Sequence, residues 1–131
     1  MIYPCQGNMT SFNHGLASLI AVLKQRGHRV HLMLVDDYTG PRRILKDITD
    51  FKADLVGFSC ASNYWQYVKT LSRKMRSVTG LKNMPIFVGA PHAISCPSSL
   101  AESPDIDGFC VSEAGILRIL PAFISGIERV A

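Results

Sequence analysis

Apolar residues along this chain fall into short dense clusters, separated by longer segments in which they recur every third or fourth position. The cluster with the least alternation is Leu55–Ser59, where Leu55, Val56 and Phe58 predict a strand covered on both faces, as in a parallel sheet with helices above and below. Small residues follow at once in Cys60-Ala61-Ser62-Asn63, at the carboxyl end of that strand, where ligands sit in open α/β sheets. Similar clusters predict a first strand ending at Ile2–Tyr3 and cut short by Pro4, a second at Arg29–Val35, a fourth at Pro85–Val88 and a fifth at Ile106–Cys110.

Between the clusters the period changes. Leu16, Leu19, Ile20 and Leu23 recur at helical spacing before Gly27, with Lys24 and Arg26 in the last turn, where they complement the helix dipole. Ile44, Leu45 and Ile48 give a short helix over Arg42–Phe51, after a turn at Tyr38–Pro41. Tyr64, Val68, Leu71, Met75 and Val78 form one stripe, predicting a helix over Asn63–Val78 with Lys69, Arg73, Lys74 and Arg76 facing water. Ser98–Ala101 predicts a single helical turn, and Ser112 caps an expected helix from Glu113 that Pro121 kinks or ends. Strands alternating with helices in this way build βαβ units. Right-handed crossovers then give an α/β Rossmann-like fold, a three-layer doubly wound parallel sheet of five strands in flavodoxin-like order 2-1-3-4-5. A single domain over residues 1–131 is expected, with no internal repeat, low-complexity tract or linker.

Composition removes several function classes. With 47% apolar and 18% charged residues the chain is ordinary globular material. Its net charge of +4 is spread out, and the densest basic run, Arg73-Lys74-Met75-Arg76, falls on a helix, so a nucleic-acid partner is not expected. Nor is a membrane partner: Met1-Ile-Tyr-Pro4 has no basic leader, and the apolar stretch Leu16–Leu23 is too short to span a bilayer. Cys5, Cys60, Cys96 and Cys110 have no close spacing and no C-x-x-C, which predicts reduced thiols and a cytoplasmic location.

The predicted topology brings three loops to the carboxyl edge beside the switch point: Cys5–Asn13, Cys60–Asn63 and Gly89–His92, with Val111–Gly115 next along. Gly89 directly after Val88 allows close backbone approach, and Ala90 continues the small-residue floor. Small residues after both strands make either a slot for a flat ligand or tail, or a plain turn of chain; spacing alone leaves both open. His28 and His31, three apart at the entry of the second strand, point to opposite faces and cannot share a metal. The cysteines read as small buried apolar groups, Cys60 in the ligand loop being the exception. A phosphorelay receiver fits poorly, because the acidic pair Asp36-Asp37 ends the second strand and the third ends in Ser59-Cys60.

Four segments in register carry a more specific resemblance: Gly15-Leu-Ala-Ser-Leu-Ile-Ala-Val-Leu-Lys-Gln-Arg-Gly-His-Arg-Val30, Ala53-Asp-Leu-Val-Gly-Phe-Ser59, Pro85-Ile-Phe-Val-Gly-Ala-Pro-His-Ala93 and Asp107-Gly-Phe-Cys-Val-Ser-Glu113. Together they resemble the cobalamin-binding domain that precedes the barrel in cobalamin-dependent radical S-adenosylmethionine enzymes. The signature Gly-Gly-Pro-His-Ala-Thr of that family reads Gly89, Ala90, Pro91, His92, Ala93 and Ile94 here, and its Gly-Glu-Gly-Glu reads Ser112, Glu113, Ala114 and Gly115. The resemblance implies a corrin ring across the carboxyl edge, with its dimethylbenzimidazole tail leaving the cobalt for the slot beside strands three and four. The implied cofactor contacts are Asn8, Met9, Thr10, Ser11 and Phe12 in the first loop, and Ser59, Cys60, Ala61, Ser62, Asn63 and Tyr64 in the second. Gly89, Ala90, Pro91 and His92 follow in the third, with Ser112 and Glu113 in the fourth. Ser59, Ser62 and Asn63 are expected to bond polar atoms of the tail. Asp-x-His-x-x-Gly, which supplies a histidine to cobalt in other cobalamin proteins, is absent: His14 is followed directly by Gly15 and preceded two places earlier by Phe12. His14 is therefore expected to start a helix rather than to be a metal ligand, the lower cobalt face being empty, met by water or met by the Cys5–Phe12 loop.

The resemblance also implies a following barrel that binds S-adenosylmethionine and an iron–sulfur cluster through Cys-x-x-x-Cys-x-x-Cys. That triad is missing, so this chain alone is not expected to be catalytic; its part would be to present cobalamin for methyl transfer or cyclisation. The altered Gly-Ala-Pro-His and Ser-Glu-Ala-Gly segments support a second reading, a non-catalytic Rossmann-like module that binds another small ligand or a partner domain. A flavodoxin-type carrier would need phosphate-binding turns after the first strand, of which Thr10-Ser11 is a thin version.

Overall fold

The computed structural model describes residues 1–5, 13–36 and 38–110. In chain order these form β1 (Ile2–Pro4), α1 (His14–Gln25), β2 (Met33–Val35), α2 (Pro41–Phe51), β3 (Val56–Ser59), α3 (Trp65–Ser77), β4 (Ile86–Gly89), α4 (Pro91–Ser95) and β5 (Gly108–Phe109). Short 3-10 turns occupy Ser62–Tyr64 and Pro97–Glu102. All pairings are parallel, and the strand order is β2-β1-β3-β4-β5, the doubly wound Rossmann-like arrangement expected from the alternation of periods. The order reverses direction beside β1 and β3, which places the switch point at the carboxyl ends of these two strands.

Several elements are shorter than the pattern predicts. β2 starts at Met33 rather than Arg29, because its partner β1 starts at Ile2 and residues upstream have no strand to pair with. β5 keeps only Gly108–Phe109 of the expected Ile106–Cys110, although Asp107 and Cys110 still donate to the Ile86 and Val88 carbonyls on either side. The helix expected from Asn63 begins as a 3-10 turn, with regular α3 from Trp65. The helix expected from Glu113 lies outside the described residues.

Alternation along the strands sorts the sheet into two faces. Ile2, Val56, Phe58, Ile86 and Val88 pack against Ile44 and Ile48 of α2 and Val68, Leu71 and Met75 of α3, all at most 5% exposed. Burying each such side chain contributes roughly 1.5–3 kcal/mol, so this layer dominates the stability of the fold. The opposite face is thinner: α1 buries Leu16, Leu19 and Leu23, of which Leu19 and Leu23 pack against Met1, Val30, Leu55 and Phe87.

One charged residue departs from its expected place. Arg76 does not face water. Its guanidinium donates to the backbone carbonyls of Lys82, Met84 and Asp105 and to the Asp107 carboxylate, at 2.7–3.2 Å. Asp107 in turn accepts from the Ile86 amide at 2.7 Å, so the end of α3 is tied to the starts of β4 and β5. The planar fork of arginine can meet several carbonyls at once, and the amphipathic pattern does not reveal that.

Candidate functional site

β3 ends in Ser59 and β4 in Gly89, and the two are register partners. With Gly57 one pleat earlier, they leave the α1 face of the sheet nearly free of side chains at its carboxyl end. A cleft of about 550 Å³ opens there. Gly57, Ser59, Gly89 and Cys110 line its sheet side, Asn13, His14, Gly15, Ser18 and Leu19 its α1 side, and Ala90, Pro91 and Ile94 its rim.

Asn13 sets the wall against the floor. It is the N-cap of α1, its Oδ1 accepting from the Leu16 amide at 2.9 Å, while its Nδ2 donates to Ser59 Oγ at 3.2 Å. One side chain thus satisfies a free helix amide and joins α1 to β3. At the rim, Ala90 has φ 73° and ψ −166°, a region that essentially only glycine enters without strain. The chain turns sharply there, and Pro91, whose fixed φ and missing N–H suit a first helical position, starts α4. Ile94 remains 46% exposed at the mouth.

The other side of the same edge is built differently. Cys60 is fully buried in the layer shared with α2 and α3, and burial pushes its thiol up to about 12. His92 is buried as well: Nδ1 meets Ser62 Oγ at 3.1 Å, Nε2 meets Ser99 Oγ at 2.9 Å, and the ring stacks on Trp65 at 4.3 Å. Burial first, and then the charge on Lys69, lower its pKa below the ordinary histidine value. Cys110 is partly buried beside the cleft, and burial raises its thiol too.

Of the residues expected to contact a cofactor, Ser59, Gly89, Ala90 and Pro91 come together around the cleft. Ala61, Ser62 and Asn63 stand on the adjoining loop, the last two exposed at the edge. Cys60, Tyr64 and His92 do not line the cleft: Cys60 and Tyr64 pack into the α2/α3 layer, and the His92 ring is held by Ser62, Ser99 and Trp65. Asn8, Met9, Thr10, Ser11, Phe12, Ser112 and Glu113 lie outside the described residues.

The pattern missed the α1 wall. Asn13 carried a usable signal, an Asn immediately before a helix-periodic run. His14 and Ser18 are four apart, as Gly15 and Leu19 are, which places each pair on one helix face, but only the fold shows that this face borders the cleft. Among the described residues, no three His, Cys, Asp or Glu side chains gather into a metal cluster. No described helix is long and apolar enough to cross a membrane.

A second cleft, of about 520 Å³, lies at the amino edge between the ends of α1 and α2. Open parallel sheets bind their ligands at the carboxyl edge, so the first cleft is the candidate site. Its chemistry suits the tail of a corrinoid: a floor of small residues for an aromatic base, apolar walls, and the hydroxyl of Ser59 for a polar atom. Comparison with known proteins agrees, although no curated protein matches the chain. Residues 9–117, most of the chain and all of the cleft from Asn13 to Cys110 apart from Met1, match the B12 binding domain; the chain belongs to that family, and cobalamin is its cofactor.

Proposed function

We propose that this domain holds cobalamin with the tail in the cleft between α1 and the ends of β3 and β4, and presents the cobalt to a radical S-adenosylmethionine barrel for methyl transfer. The observation that carries the reading is the bare row Ser59–Gly89 facing α1, since a packed Rossmann-like core has no use for such a gap. When bound, cobalamin supplies a cobalt-centred carrier for the methyl group. The residues of this chain do the rest. Gly57, Ser59 and Gly89 admit the tail, Ser59 offers it a hydrogen bond, and Ala90, Pro91 and Ile94 close around it and exclude water. His14, the first residue of α1, lines the cleft wall outside any Asp-x-His-x-x-Gly context, and would border the tail there. All four cysteines are free thiols, in keeping with work in the cytoplasm.

The test is a titration of the chain with hydroxocobalamin, followed by gel filtration and ultraviolet–visible spectroscopy. Retained corrinoid with a base-off spectrum is the expected result. Colourless elution of a folded chain would favour a Rossmann-like module for another small ligand or a partner domain. The barrel is tested separately, by S-adenosylmethionine cleavage in the full-length protein carrying an iron–sulfur cluster.

A further inference from the structure

Behind the cleft floor, His92 is held more completely than a surface turn requires. Its imidazole is 4% exposed, stacked on Trp65 with an interplanar angle of 22° and edge-on to Phe109 at 6.2 Å. The bonds of Ser99 fix its protonation. The Ser99 hydroxyl already donates to the Cys96 carbonyl at 2.7 Å, so toward the ring it can only accept, from Nε2–H at 2.9 Å. Nδ1 lies 3.1 Å from the Ser62 hydroxyl, which donates to it in the neutral ring and accepts from it in the imidazolium. In its neutral form the ring is the Nε2–H tautomer. An imidazolium would present a second donor to Ser62 and force that bond to reverse.

The backbone of His92 completes the arrangement. Its amide donates to the Cys60 carbonyl at 3.0 Å, and the Cys60 amide donates to the Gly89 carbonyl at 3.0 Å. One residue therefore joins the loop after β3, the turn after β4 and the 3-10 turn at Pro97–Glu102. Two positions before it stands Ala90, whose positive φ is strained and persists only where its surroundings over-determine it.

We propose that His92 is a positioning residue for cobalamin: as a neutral imidazole bolted between Ser62 and Ser99, it holds the Ala90 turn in its left-handed conformation and so keeps Gly89 and Pro91 clear of the tail. The inference rests on the cofactor reading of the cleft. Trp65 and Lys69 of α3, Ser62, Ser99 and Phe109 are the described groups acting on the ring, and Lys69 is the charged one among them. Both burial and Lys69 favour the neutral form, so the folded-state pKa lies below the ordinary one. Above the ordinary histidine range the ring is neutral and accepts from Ser62; as pH falls through the lowered value it becomes an imidazolium and the Ser62 bond reverses.

Trp65 is the sole tryptophan, so its emission reports the charge of the stacked ring, because an imidazolium quenches indole. A step in Trp65 emission on acidification is expected, and His92→Gln removes it. His92→Phe keeps the stack and loses both ring bonds; it should weaken hydroxocobalamin binding tenfold or more and speed amide exchange at Cys60 and His92 by at least as much. His92→Gln can still donate to Ser99 and accept from Ser62, and should recover most of both. Ser99→Ala retains the imidazole and serves if His92→Phe does not fold, with a smaller loss expected in both readouts. Unchanged exchange and affinity in His92→Phe, or in Ser99→Ala if that variant must serve, overturn the proposal, as do equal losses in His92→Phe and His92→Gln. Should the unmodified chain take up no hydroxocobalamin, the cofactor reading fails, and amide exchange still decides whether His92 holds the turn.

Discussion

The two faces of the sheet differ in what their side chains are for. The α2/α3 face is filled by Ile2, Val56, Phe58, Ile86 and Val88 meeting two helices, with Arg76 clamping its far end. The α1 face spends its corresponding positions on Gly57, Ser59 and Gly89, and α1 is joined to it by Leu19, Leu23 and the Asn13–Ser59 bond. One strand serves both: in β3 the even residues build the core and the odd ones leave a gap. The lesson is that a site in this fold is made by subtraction, on the face whose helix can stand off.

If the division is right, substitutions on the two faces should separate stability from binding. The largest loss of stability is expected for Phe58→Ala, about 3–5 kcal/mol by chemical denaturation, because the site lies within the two-helix layer and leaves a cavity. Gly89→Leu is the reverse case. It should abolish retention of hydroxocobalamin in gel filtration by filling the cleft, while the denaturation midpoint moves far less than for Phe58→Ala. An equal loss of stability in both variants would break the comparison.

Smaller effects sharpen it. Arg76→Met should cost about 2 kcal/mol, since several carbonyls and the Asp107 carboxylate lose a charged donor, without altering corrinoid retention. Ala90→Gly relieves a positive φ at the price of some backbone freedom, and a gain of about 1 kcal/mol is expected from thermal unfolding. Gly57→Ala should be the mildest of these, within about 1 kcal/mol, although its Cβ would lie 2.8 Å from Met1 Sδ, because that is the end of a flexible side chain. Gly108→Ala meets the Phe87 ring at the same 2.8 Å and should cost more, since an aromatic ring yields less readily than a thioether.

Strand order and the place of the ligand edge could be read in the sequence because they follow from period and connection handedness, which local residues encode. Leu55–Ser59 announced its double burial, and the Gly89-Ala90 pair its openness. Three features were not legible. The side from which the gap opens depends on which helix packs loosely, and Leu16–Leu23 reads as well as any other amphipathic run. The Arg76 clamp joins residues up to 31 positions apart, while the local pattern shows only a cation on a helix. The inward place of His92 depends on Ser62, Ser99 and Trp65, brought to it by the fold, and a Pro-His pair alone does not reveal it.

The parallel pairing of Ile2 with Phe58 carries a last consequence, for how the protein is made. At about 5–20 residues per second, β1 leaves the ribosome several seconds before β3 exists to receive it. Until then α1 has only Met1 and Val30 to rest on, because Leu55, Gly57, Ser59, Phe87 and Gly89 are still unmade. The cleft between α1 and the ends of β3 and β4 is therefore completed only once β4 has been made. A chain stalled before Val56 would display β1 without β3 beside it and α1 with little to cover it.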